Sequence, residues 1–62
     1  MKIHSTAIVE DGAVLGENVV VEAYAFVGRD AKIGANCVIK QGARIIGDTV
    51  IGENSKVFSY AI

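Results

Sequence analysis

The chain has no proline, one cysteine and one histidine among its 62 residues, and each shortage removes a class of explanation. Cys37 is alone, so no internal disulfide can form. His4 is alone, so there is no cluster of ligands for a structural metal, and neither a metal nor a cofactor is expected. No apolar run is long enough to cross a bilayer. The opening Met1-Lys2-Ile3-His4 lacks the apolar stretch of a secretory signal. An excess of one charge is missing too. Six basic residues stand against seven acidic ones, which gives nothing to steer the chain to nucleic acid or an anionic membrane. A single free thiol without an export signal fits the cytoplasm.

Shortness is itself a constraint. The chain is read as one domain, residues 1–62. A chain of this size buries only about 60% of the surface it exposes when unfolded, so it is marginal alone. Disulfides and metals are the usual supports of such domains. With both set aside, support is expected from partner chains or from a longer parent protein.

What the chain does have is a repeat, and a repeat decides the fold before any local propensity does. In steps of six from Ile3 stand Ile3, Val9, Leu15, Val21, Val27, Ile33, Ile39, Ile45, Ile51 and Val57, all branched aliphatics. Four residues after each come Ala7, Ala13, Val19, Ala25, Ala31, Cys37, Ala43, Thr49, Ser55 and Ala61, all small or β-branched. Hexads therefore run unbroken from Ile3 to Ile62. Positions one and five share a face in an extended chain, because strand side chains alternate with a period of two. Position three would share that face in a straight strand, yet it reads Ser5, Asp11, Glu17, Ala23, Arg29, Ala35, Gln41, Gly47, Glu53 and Ser59. The strand must therefore bend once per hexad and turn positions three and four outward. At position four, Gly12, Asn18, Asp30, Asn36, Gly42, Asp48 and Asn54 are residues that tolerate a left-handed backbone in a tight turn.

A second period lies on the first. Leu15-Gly16-Glu17-Asn18, Ile33-Gly34-Ala35-Asn36 and Ile51-Gly52-Glu53-Asn54 recur every 18 residues. Three hexads per coil stack these segments above one another and pair each strand in parallel with its copy one coil away. The expected fold is all-β: a parallel β-helix of a little over three triangular coils. Its aliphatic columns would be Ile3/Val21/Ile39/Val57, Val9/Val27/Ile45 and Leu15/Ile33/Ile51, giving ten buried aliphatics. A six-residue period sets successive aliphatics about 120° apart around an α-helix, which excludes that alternative.

These residues carry a family resemblance. Ten tandem hexads resemble the hexapeptide-repeat acyltransferases. Within them, the run Ile3-His4-Ser5-Thr6-Ala7-Ile8-Val9-Glu10-Asp11-Gly12-Ala13 resembles the opening of the UDP-N-acetylglucosamine acyltransferases. The stretch Ile51-Gly52-Glu53-Asn54-Ser55-Lys56-Val57-Phe58-Ser59-Tyr60-Ala61-Ile62 is similar to the end of that family's first coils. The similarity covers the whole chain, and the chain covers about the first quarter of such an enzyme. The resemblance implies a left-handed winding, where the general rule for parallel crossovers would give a right-handed one. It also implies a cytoplasmic homotrimer that moves a 3-hydroxyacyl group from acyl carrier protein to the sugar 3-hydroxyl of UDP-N-acetylglucosamine in lipid A synthesis. A histidine in a later coil is the implied general base, which suits acceptance of a hydroxyl proton near neutral pH. None of the implied catalytic positions falls within residues 1–62, and the family's C-terminal helical domain is absent. The chain alone is therefore expected to be truncated at its C-terminal end and catalytically incomplete, with no catalytic, cofactor-binding or metal-binding residue. The alternative is a self-standing structural module that assembles end to end through the bare strand at 57–62.

Individual residues fit this frame. His4 is expected to be exposed or to cap the first coil. Cys37 occupies an inward small-residue column with Val19 and Ser55, where a buried structural thiol is expected. Gly16, Gly34 and Gly52 match no phosphate-cradling signature and read as stacked turns. Asp30 and Asp48 are vertical neighbours, either turn residues satisfying backbone donors or a carboxylate pair able to hold a cation. Tyr24, Phe26, Phe58 and Tyr60 are read onto one side of the prism, pointing outward. Position six adds Ile8, Val14, Val20, Val38, Val50 and Ile62 to that apolar surface, which makes subunit contact its expected use. Glu22 and Lys40 should be adjacent in one column and help to set register.

Overall fold

Each hexad contributes only two residues to regular strand, because its third and fourth positions turn the chain before a strand can lengthen. The computed structural model describes residues 1–59. Tyr60, Ala61 and Ile62, and with them the end of the expected stacking strand, lie outside the described residues. Among the described residues ten strands follow in order: β1 (Lys2–Ile3), β2 (Ile8–Val9), β3 (Val14–Leu15), β4 (Val20–Val21), β5 (Phe26–Val27), β6 (Lys32–Ile33), β7 (Val38–Ile39), β8 (Arg44–Ile45), β9 (Val50–Ile51) and β10 (Lys56–Val57). They form three parallel sheets, β1-β4-β7-β10, β2-β5-β8 and β3-β6-β9. The register steps by 18 residues throughout. Ile3 pairs with Val21 and Val21 with Ile39, Val9 with Val27, and Leu15 with Ile33. The three aliphatic columns are those the repeat predicts, and the coils form a left-handed parallel β-helix.

The rungs between coils are regular. The N–H groups at positions six and two donate upward to the carbonyls at positions five and one of the next coil. Lys2 donates to Val19 and His4 to Val21, both at 2.9 Å, and Val20 to Cys37 and Glu22 to Ile39 at 3.0 and 2.9 Å. This ladder satisfies the inward-curving backbone without helices or long strands.

Burial follows the number of neighbours. The sealed core is Val19, Val21, Ala25, Val27, Ala31, Ile33, Cys37, Ile39, Ala43 and Ile45, alternating positions five and one from residue 19 to residue 45. Only five of the ten aliphatics at position one are therefore buried. Val9, Leu15, Ile51 and Val57 are half-buried, and Ile3 is 45% exposed. The expectation of ten buried aliphatics fails at the ends. A residue in a β-helix needs a coil above and below to exclude water, and the outer coils have one neighbour each.

Corners come in two kinds. At the turns after β1, β2, β4, β5 and β7 the position-five N–H donates to the position-two carbonyl, as for Ala13 to Glu10 (3.2 Å) and Ala43 to Lys40 (3.2 Å). Gly12, Tyr24 and Gly42 take positive φ at position four, the conformation a type II turn requires there. The turns after β3, β6 and β9 place Asn18, Asn36 and Asn54 at φ near 60° (59°, 62° and 61°). They lock coil to coil instead: Asn36 N–H donates to the Glu17 carbonyl at 2.8 Å and Asn54 N–H to that of Ala35 at 2.9 Å. Asn18 Nδ2 reaches Asn36 Oδ1 at 3.3 Å. The corners stack so closely that a Cβ at Gly16 would meet Ala35 N at 2.6 Å, and one at Gly34 would meet Glu53 N at 2.7 Å. That contact accounts for glycine at 16 and 34 in the 18-residue repeat. One corner departs from both kinds. Gly47, at position three, carries the positive φ of 79° that the pattern assigns to Asp48. Thr49 closes the turn by donating its N–H to the Gly47 carbonyl and its hydroxyl to the Ile46 carbonyl, both at 2.8 Å. Asp30 likewise lacks a positive φ, so neither aspartate uses the left-handed tolerance expected of it.

Candidate functional site

The candidate site lies where the first two coils meet. An open groove of about 550 Å³ runs there, bordered by Lys2, His4, Glu22 and Gln41 with Val20 between them. Position two places His4, Glu22 and Lys40 in one outward column of the β1-β4-β7 sheet, since each directly follows an in-register aliphatic. Lys40 Nζ lies 3.5 Å from Glu22 Oε2, so the expected pair is present. Glu22 also accepts the Gln41 backbone N–H at 3.2 Å. Glu10 does the same for Arg29 at 3.1 Å. These two acids thus serve position-three amides one coil above, a role their place at position two could have signalled.

His4 is exposed and faces this groove, but its ring is engaged locally. Nδ1 accepts the Thr6 backbone N–H at 3.1 Å and lies 2.8 Å from Thr6 Oγ1. Thr6 Oγ1 in turn accepts the Tyr24 backbone N–H from the next coil at 3.0 Å. The histidine is therefore tied into a corner through Nδ1.

The other singled-out residues separate. Cys37 is fully buried, and its thiol donates to the Gly52 carbonyl at 3.0 Å. Asp30 and Asp48 are exposed at a corner. Among the described residues no three histidine, cysteine or carboxylate side chains come together as a metal site would require. The described aromatics do not share one side. Phe26 belongs to the β2-β5-β8 sheet beside Ile8 and Arg44, with the Arg44 guanidinium 5.8 Å from its ring centre. Phe58 follows β10 in the neighbouring sheet, and Tyr24 stands on the corner between the two sheets. Position two, not position six, is the place of Phe58, so these aromatics gather around one edge of the prism; Tyr60 lies outside the described residues. The edge is open, with Tyr24 75%, Phe58 69% and Ile8 57% exposed, and the charged Glu22, Lys40 and Arg44 border it.

Residues 30–61 match the sequence profile of the bacterial transferase hexapeptide family (six repeats). The chain belongs to that family. Hexapeptide relatives share the whole of this stretch. The chain is 64% identical over 61 residues to the acyl-[acyl-carrier-protein]–UDP-N-acetylglucosamine O-acyltransferase of Campylobacter lari, covering 98% of this chain and 23% of that protein. It is 74% identical over 61 residues to the enzyme of the same name from Campylobacter jejuni, with the same coverage. Among solved structures, UDP-N-acetylglucosamine acyltransferase from Campylobacter jejuni superposes with a TM-score of 0.96 at 67% identity, over 98% of this chain and 24% of that one. The chain thus spans about a quarter of the length of the relatives it matches. No helix of the described residues is long and apolar enough to cross a membrane.

Proposed function

We propose that this chain forms the opening β-helix coils of an acyltransferase that takes a 3-hydroxyacyl group from acyl carrier protein and places it on UDP-N-acetylglucosamine, in the cytoplasm, at the start of lipid A synthesis. In that transfer the thioester C–S bond breaks, an ester forms on the sugar hydroxyl, and the carrier thiol leaves with a proton. The observation that carries the reading is the agreement of fold and sequence with such enzymes over 98% of the chain at a TM-score of 0.96. Residues 1–62 act in this reading as one domain and as scaffold. The histidine they contain is tied into a corner through Nδ1, and the Glu22 carboxylate of the groove is taken up by Lys40 and the Gln41 amide. The chain by itself is therefore inactive, and the acyl carrier protein and UDP-sugar are partners of the longer protein.

Two assays test this. The isolated chain, incubated with acyl carrier protein thioester and UDP-N-acetylglucosamine, should show no turnover above blank. A chimera in which this chain replaces the matching stretch of the Campylobacter jejuni enzyme should retain acyl transfer. Turnover by the isolated chain, or a folded but inactive chimera, would overturn the reading.

The same proposal assigns the open edge at Tyr24 and Phe58 to a homotrimer. Tyr24 supports this, because a bulky residue at φ 61° carries a backbone cost of roughly 1–2 kcal/mol that glycine or asparagine at the same turn would largely avoid. Tyr24→Asn should stabilise the monomer yet weaken association, read by light scattering on a sizing column. Unchanged association would remove the edge from the interface.

A further inference from the structure

Beyond the scaffold role, the corner at His4 is a device in its own right. We propose that His4, Thr6 and Tyr24 form a proton-sensitive clasp that ties the first coil to the second and loosens when the His4 imidazole takes up a proton. Nδ1 accepts the Thr6 N–H at 3.1 Å, an arrangement that the Nε2–H tautomer permits. The Thr6 hydroxyl then donates to Nδ1 at 2.8 Å while its oxygen receives the Tyr24 N–H at 3.0 Å. One side chain thereby fixes its own corner and the strained corner above it. Tyr24, unlike the glycines and asparagines at the other positive-φ corners, has no intrinsic preference for φ 61°.

Protonation places a hydrogen on Nδ1, facing the Thr6 N–H. Two donors then point at each other, and the ring must rotate away. The charged groups around it come from both coils. Lys2 lies on the same strand. Glu22, already holding Lys40 at 3.5 Å, stands next in the column and offers the imidazolium a carboxylate. The uncharged Gln41 and the Tyr24 corner complete the surroundings. Rotation toward Glu22 releases Thr6 and competes with Lys40. The first coil has only one neighbouring coil and a half-exposed Ile3, so it has the least packing to resist such a release.

The test is amide solvent exchange by NMR on the uniformly labelled protein at about pH 7.5 and about pH 5, the range over which histidine changes charge, with each rate divided by its intrinsic value at that pH. Val27, in the sealed core, serves as the internal reference. The Thr6 amide should lose protection roughly fivefold at the lower pH, the equivalent of one net hydrogen bond, while Val27 does not change. His4→Asn supplies a side-chain carbonyl that accepts the amide two residues on at any pH, so it should keep Thr6 protected and abolish the dependence. Thr6→Val should lower Tyr24 protection at both pH values. A Thr6 amide indifferent to pH, a dependence that survives in His4→Asn, or a parallel loss at Val27 would each overturn the clasp.

Discussion

Gly34 and Gly52 occupy the same column and the same hexad position, each between an isoleucine and a residue followed by asparagine, yet alanine should act on them with opposite sign. Neither has a positive φ, so backbone conformation does not forbid a side chain at either. At Gly34 a Cβ would sit 2.7 Å from Glu53 N, 2.9 Å from the Gly52 carbonyl carbon and 3.0 Å from Glu53 Cα. All three are backbone atoms of the coil above, held by the Gly34 to Ile51 and Asn54 to Ala35 hydrogen bonds at 2.8 and 2.9 Å. They cannot rotate aside as a side chain could, so the strain belongs in the upper part of the ~1–3 kcal/mol range for overpacking. The lost flexibility of the unfolded chain returns about 0.4–1 kcal/mol. The net loss is roughly 1–2.5 kcal/mol, a fall in Tm of about 5–20 °C for a domain of this size. At Gly52 nothing lies within 4 Å, which leaves only the gain, a rise of a few degrees. Thermal unfolding followed by circular dichroism at one fixed protein concentration reads both. Adding one further coil with the same repeat should convert the Gly52→Ala gain into a loss. If Gly34→Ala melts with the wild type, or if both variants shift alike, close corner stacking is not what selects glycine in this column.

Three further outcomes follow from the same geometry. Asn36→Ala should cost about 1–2 kcal/mol, since alanine at φ 62° is strained and the Asn18 side chain loses its partner; Asn36→Gly should cost less, with denaturant midpoints as the measure. Cys37, fully buried, should react with a thiol reagent only at the rate of unfolding, and rapid modification under native conditions would contradict its place in the core. Glu22→Gln should cost less than about 1 kcal/mol, because the Lys40 pair is partly solvated at 39% and 33% exposure and the amide can still accept the Gln41 N–H. A larger loss in urea unfolding would show that this column does more than set register.

Much of the architecture was legible in the residues. The six-residue alternation of branched and small side chains names the inward positions, and the 18-residue recurrence of Gly and Asn names the stacking. Together they specify three sheets in the observed register, put Cys37 inside and bring Glu22 to Lys40. Each of these depends only on which residues lie 6 or 18 apart, a relation that one chain carries within itself.

The rest depended on what each residue meets in the next coil. Ile3 and Ile39 satisfy the same pattern, but only Ile39 has coils on both sides and is sealed from water. Tyr24 takes a left-handed backbone because Thr6 holds its amide, while Asp48 does not because Gly47 and Thr49 close that corner another way. Phe58 and Phe26 belong to neighbouring sheets with Tyr24 on the corner between them, a placement invisible until that corner has a direction. His4 showed no partner by spacing, and its role appears only once its ring nitrogen faces the Thr6 amide. Periodicity therefore determined which residues stack. Burial, corner conformation and side-chain acceptors were decided by contacts across coils, where a change of an ångström separates an open surface from a closed one.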